Sequence, residues 1–207
     1  MKTYLPEEIE KKSFEIITSQ LKGVELEEEK APIIKRVIHT TADFDYLHSL
    51  TFSENAVKSA VDAIKSGVDI VTDTQMVKAG ISKVATSKSK TNIHCFISDL
   101  DVSKQAKEKN VTRSSLCMDK ASEIKRPLII AVGNAPTALI RLDELIKQKS
   151  ISPILVIGVP VGFVNVIESK ELIMESGVEF IVARGRKGGS NVAAAIVNAL
   201  LYMAFPR

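Results

Sequence analysis

Five short runs rich in β-branched residues, at 69–72, 93–97, 128–132, 154–159 and 179–182, are mostly separated by stretches with helical spacing of apolar positions. Parallel strands need a crossover long enough to hold a helix. The stretches 136–147, 166–175 and 191–204 meet that need, with repeating apolar positions and few breakers. The pattern therefore predicts an α/β fold: a three-layer α/β/α, Rossmann-like arrangement around a five-stranded, mostly parallel sheet. Ahead of the first run, 7–21 and 27–38 predict N-terminal helices, and Ser53 is placed to cap a helix over 54–65 that Gly67 stops. Residues 82–91, rich in Lys, Ser and Thr, read as an exposed loop, with a flexible lid as the alternative. A chain of 207 residues, 45% hydrophobic, suits one domain over 1–207.

Bulk properties remove several classes of function. With 28 Lys plus Arg against 25 Asp plus Glu, the net charge of +3 falls far below that of a dedicated nucleic-acid binder. No apolar run approaches the roughly 20 residues that span a bilayer, and an acidic helix-like stretch at 7–12 stands where a secretory signal needs a continuous apolar region. A cytoplasmic protein without a membrane partner is expected. Cys95 and Cys117 give no metal-ligand spacing and no disulfide framework, and read as buried structural thiols. His94 lies within a predicted strand, His48 within a polar turn, and no histidine has zinc-ligand spacing with Cys or carboxylates, so no protein-bound metal is expected.

In an open parallel sheet, ligands sit beyond the carboxyl ends of the strands. There the sequence carries Asp73-Thr74-Gln75-Met76, Gly133-Asn134-Ala135-Pro136-Thr137, Pro160-Val161-Gly162-Phe163-Val164-Asn165 and Arg184-Gly185-Arg186-Lys187-Gly188-Gly189-Ser190-Asn191. Gly133, Asn134, Arg186, Gly188 and Ser190 are accordingly candidate ligand contacts, since glycine lets backbone approach a ligand and helix N-termini favour anions. Glycine also serves tight strand-to-helix turns with no ligand involved. Arg184, Arg186 and Lys187 crowd the start of a helix and point to an anionic ligand; which of the adjacent Arg186 and Lys187 faces it stays open. The loop is no Walker motif, because Lys187 is followed by two glycines, and no G-x-G-x-x-G follows the first strand. Carboxylates are then the better anion, with Arg113 a second fork for them. His39, four positions before Asp43, fits a general acid, because histidine titrates near neutrality and an acidic neighbour favours its charged form. A helix-capping or core histidine fits the same place.

Seven fragments in order resemble the precorrin-8X and cobalt-precorrin-8 methylmutases. They are Glu10-Lys11-Lys12-Ser13-Phe14, the segment 36–43, the segment 72–81, Thr112-Arg113-Ser114, the segment 132–139, the segment 158–164, and Gly185-Arg186-Lys187-Gly188-Gly189-Ser190-Asn191. The resemblance spans almost the whole chain. It implies an isomerase of cobalamin biosynthesis that shifts a methyl group between adjacent carbons of one ring of precorrin-8X or cobalt-precorrin-8. The product would be hydrogenobyrinate or cobyrinate, formed by an acid-assisted sigmatropic rearrangement without an added cofactor. It further implies a homodimer with sites near the subunit interface, His39 as the acid, and Ser13, Arg36 and Arg113 near the tetrapyrrole substrate. Two other readings stay open: a non-catalytic module that binds a small anion, and a carrier that sequesters the corrin product without making it.

Overall fold

The computed structural model describes residues 5–206. In chain order it contains α1 (Pro6–Gln20), α2 (Ala31–Thr41), α3 (Tyr46–Ser49), β1 (Leu50–Phe52), α4 (Ala56–Ser66), β2 (Asp69–Thr72), α5 (Gln75–Gly80), α6 (Lys83–Lys88), β3 (Ile93–His94), α7 (Leu100–Glu108), α8 (Arg113–Ser122), β4 (Leu128–Val132), α9 (Pro136–Lys147), β5 (Leu155–Gly158), α10 (Val166–Glu175), β6 (Phe180–Ala183) and α11 (Ser190–Ala204). The strands form one six-stranded sheet in the order β1-β6-β5-β4-β2-β3. All neighbours are parallel except β1, which runs antiparallel to β6 with Thr51 opposite Val182.

Alternation along the strands builds two cores. Ile129, Ala131, Ile157 and Ile181 face one layer, made of α1, α2, α4, α5, α6 and α11; Ile130, Val132, Val156 and Val182 face the other, made of α7 to α10. The central strands are buried on both faces, which is why they read as unbroken apolar runs. The chain crosses from β2 to β3 through α5 and α6 on the first face and returns to β4 through α7 and α8 on the second. The helices thus part company between β2 and β4, the place where an open sheet forms a crevice at its carboxyl edge.

Four local expectations need correction. The sheet gains a sixth strand, β1, whose three residues are too few to show an alternating pattern. The 93–97 run shortens to two paired residues. Within 82–91 the chain forms α6 rather than a loop: the Ser82 hydroxyl accepts the Ala85 amide at 3.3 Å, and Ala85 packs into the core. Ser53 does not cap α4. It bonds the Glu179 carboxylate and accepts the Phe180 amide at 2.8 Å, leaving Asn55 at the helix start without a side-chain cap. Gly67 does end α4, in a left-handed conformation (φ 89°) that glycine adopts without strain. His94 is satisfied through Nε2, 2.9 Å from Asp69 Oδ2, and His48 is exposed in α3. Both cysteines are buried, and burial pushes the Cys117 thiol up to about 12, which keeps it unreactive.

Candidate active site

The crevice between β2 and β4 is closed by protein. Asp73, wholly buried at the end of β2, accepts three backbone amides from the loop after β4: Gly133 at 2.9 Å, Asn134 at 2.8 Å and Ala135 at 2.9 Å. Burial raises its carboxyl above the ordinary value more than those amides lower it. Beside it, the Thr74 hydroxyl caps α5 and lies 3.0 Å from the Ser190 hydroxyl at the start of α11. The glycines here serve backbone packing. A Cβ on Gly133 would stand 2.7 Å from Ser190 Cα, and one on Gly188 would stand 2.2 Å from the Val159 carbonyl oxygen. Side-chain space at both positions is filled by neighbouring loops.

The loop before α11 is held from several directions. The Arg184 amide donates to Ser49 at 2.8 Å, and the Gly189 amide donates to Val159 at 2.8 Å. Lys170, fully buried on α10, donates to the carbonyls of Gly185 (2.7 Å) and Lys187 (2.9 Å); burial pulls its ammonium down to about 8. Lys187 reaches the other way, to Asp43 at 2.7 Å and Asp45 at 2.6 Å just after α2. That pairing raises the lysine and lowers the Asp43 carboxyl. It also removes Asp43 as the acidic neighbour expected for His39. Arg186 is exposed, has no carboxylate partner among the described residues, and lies 5.9 Å from the Phe163 ring centroid. Of the two adjacent cations, Arg186 is the one left open to a ligand.

His39 sits in the last turn of α2, on one wall of a cleft of about 270 Å³ between α2 and α11 that Arg36, Asn191, Asn198 and Tyr202 also line. Its ring stacks on Phe14 of α1, centroids 5.1 Å apart at 20°, and its nitrogens take no hydrogen bond from the described residues. The Arg36 guanidinium packs 4.7 Å from the Phe14 ring and 5.3 Å from that of Tyr202 and pairs with Glu10 at 2.6 Å. This pairing balances the positive charge one turn before His39. Ser13 precedes Phe14 and spends its hydroxyl proton on the Ile9 carbonyl at 2.8 Å. Asn198 fixes the far wall, accepting the Ser82 amide and donating to Gly80, both at 2.8 Å.

The candidate residues thus fall into three groups along the carboxyl edge. Ser13, Arg36 and His39 belong to the α1–α2–α11 flank, and Gly133, Gly188 and Ser190 to the packed centre. Arg113, exposed at the start of α8, and Asn134, exposed before α9, occupy the opposite flank, where Thr112 and Thr137 join the two helix starts at 2.9 Å. Along the same edge large apolar side chains stand in solvent: Met76 (70% exposed), Leu100 (88%), Phe163 (86%) and Val164 (77%). Apolar surface with separated arginines matches a broad apolar ligand with an anionic rim. Among the described residues no three His, Cys, Asp or Glu gather as a metal site, and no helix is long and apolar enough to cross a membrane.

Comparison with known proteins identifies the family. The family model of precorrin-8X methylmutase matches residues 8–203. The chain belongs to the precorrin-8X methylmutase family. It is 45% identical to the cobalt-precorrin-8 methylmutase of Priestia megaterium over 98% of this chain and 90% of that one, and 45% identical to the Salmonella typhimurium protein of the same name over 95% of each. The crystal structure of the precorrin-8X methylmutase of Thermus thermophilus superposes with a TM-score of 0.87 at 35% identity, covering 95% of this chain and 96% of that chain. The protein is accordingly an isomerase of cobalamin biosynthesis with the α/β fold of precorrin-8X methylmutases. Nothing local in the sequence signals the roles of Asp73 and Lys170, both fixed by partners distant in the chain, or sets Tyr202 apart from the other residues of an apolar helix.

Proposed function

We propose that the protein converts cobalt-precorrin-8 into cobyrinate by moving one methyl group to the neighbouring carbon of the same ring, with His39 as the acid. One C–C bond breaks and one forms, and the methyl carries its bonding electrons, so substrate and product are isomers and no redox partner is needed. Protonating a ring nitrogen or carbon draws electron density from the breaking bond and eases the shift; the same proton returns to His39 afterwards. The rest of the rate comes from holding the macrocycle where that bond overlaps the π system. The observation that carries this reading is the His39 ring, stacked on Phe14 with neither nitrogen hydrogen-bonded by the described residues, beside a cleft in which α2 and α11 bring Arg36 and Asn191 together. Substrate choice is taken from the relatives: the cobalt-precorrin-8 methylmutases of Priestia megaterium and Salmonella typhimurium are each 45% identical to this chain, whereas the precorrin-8X methylmutase of Pseudomonas aeruginosa is 35% identical.

The protein is read as a cytoplasmic homodimer with the sites close to the subunit interface; the exposed Phe163 and Val164 supply apolar surface for the pairing, whereas the apolar residues of α11 are already buried within one chain. Arg113 and Arg186 are assigned to peripheral carboxylates of the macrocycle. Purified protein mixed with unrearranged cobalt-precorrin-8 should convert its visible spectrum to that of cobyrinate; binding of cobyrinate without conversion of the precursor would make the protein a carrier instead. In the same assay Arg113→Ala or Arg186→Ala should weaken binding by about 1 to 3 kcal/mol and leave the saturated rate largely intact. Collapse of the saturated rate at unchanged affinity would refute the carboxylate role.

A further inference from the structure

The geometry points to Lys170 as a positioning residue for ligand recognition: a buried ammonium that grips the backbone on both sides of Arg186 and so aims the Arg186 guanidinium at a ligand carboxylate. The inference rests on the reading that Arg186 holds such a carboxylate.

Lys170 lies on α10 between Ser169 and Glu171 and is the largest fully buried side chain of the described structure. Burying an ammonium is costly unless its protons are bonded. Here it meets no carboxylate among the described residues, only the carbonyls of Gly185 and Lys187 at 2.7 and 2.9 Å. The residue between them is Arg186, whose own carbonyl accepts the Gly162 amide at 3.3 Å. All three successive carbonyls, of Gly185, Arg186 and Lys187, are thereby hydrogen-bonded, and Gly185 takes a left-handed conformation (φ 77°) that glycine adopts without strain. The loop then presents the Arg186 side chain outward, beside Phe163. Leu or Met would fill the same volume, but only a lysine brings donors that bond the loop carbonyls. Because no anion neutralises it, the ammonium also adds positive potential beneath an edge proposed to receive several carboxylates.

A double-mutant cycle tests this, with affinity for cobyrinate read by absorbance titration and folding read by circular dichroism. Lys170→Met keeps the length and removes the donors; Lys170→Gln keeps two shorter donors. Lys170→Met should weaken cobyrinate binding about tenfold, the scale of hydrogen bonds lost from a charged group. In the Arg186→Ala background the same change should shift affinity by less than about twofold, because residues acting as one unit are non-additive. Lys170→Gln should fall between wild type and Lys170→Met. Normal affinity in a folded Lys170→Met, or a tenfold loss that persists without Arg186, overturns the proposal; so does failure of both variants to fold, which assigns Lys170 to stability alone. If wild type itself does not bind cobyrinate, the fault lies with the functional reading rather than with Lys170.

Discussion

His39→Asn should leave a folded protein that binds the corrin ring normally and turns over about 10² to 10⁴ times more slowly at saturation, or roughly 3 to 5 kcal/mol of barrier. The site favours a clean experiment. His39 is exposed near the carboxyl end of α2, so an asparagine there neither opens a core cavity nor breaks a hydrogen bond among the described residues. What it removes is a transferable proton and part of a stack on Phe14. If the stack alone mattered, loss of His39 would loosen binding and slow the chemistry together through misplacement of the macrocycle. If the proton matters, affinity holds and the single-turnover rate falls. A variant that binds normally and rearranges substrate at nearly the wild-type rate would eliminate His39 as the acid.

How far the sequence reaches depends on whether the partner of a residue is near in the chain. The central strands were legible because both faces are buried, so 128–132 and 155–158 are nearly unbroken apolar runs. The second helix was legible, but it runs Ala31–Thr41 rather than 27–38, so His39 lies in its last turn instead of following it; residues 27–30 form a turn, with the Lys30 amide on the Glu27 carbonyl at 3.0 Å. Local rules failed where a distant group competed. Ser53 looks like a cap, but Glu179 and Phe180 claim its hydroxyl. Lys170 stands among Glu168 and Glu171 as a solvated helix residue would, yet it is fully buried. Gly133 and Gly188 could equally have faced a ligand; only the fold shows their Cβ space filled by backbone of the loop after β5 and of the start of α11. At the active edge, residue types were readable and pairings were not, which is why Lys187 and Arg186 looked equivalent until Asp43 and Asp45 were seen to hold one of them.

The most severe loss of stability is expected at Asp73. Asp73→Ala would strip the acceptor from the amides of Gly133, Asn134 and Ala135, of which the first and last lie buried. Each buried donor left unsatisfied costs about 1 to 3 kcal/mol, so even at the lower bound the two buried amides together cost about 2 kcal/mol. That is a large share of the roughly 5 to 15 kcal/mol that holds a typical domain folded. A water entering the vacated space can satisfy some of these amides, which argues for the lower bound. Asp73→Asn should cost less: its carbonyl oxygen can keep two of the amides, while its NH₂ faces the third as donor against donor. Urea unfolding should rank wild type above Asp73→Asn above Asp73→Ala, and a loss below about 1 kcal/mol in Asp73→Ala would show that the staple is dispensable. The pH dependence supplies an independent check. The folded-state pKa lies above the ordinary value of 3.8, so the fold takes up a proton at Asp73 more readily than the unfolded chain does. That group's stabilising contribution is therefore complete below 3.8 and is lost as pH rises through the folded value. The stability gap between wild type and Asp73→Asn should accordingly widen on acidification; a gap that narrows would mean that the three amides, rather than burial, dominate the charge on Asp73.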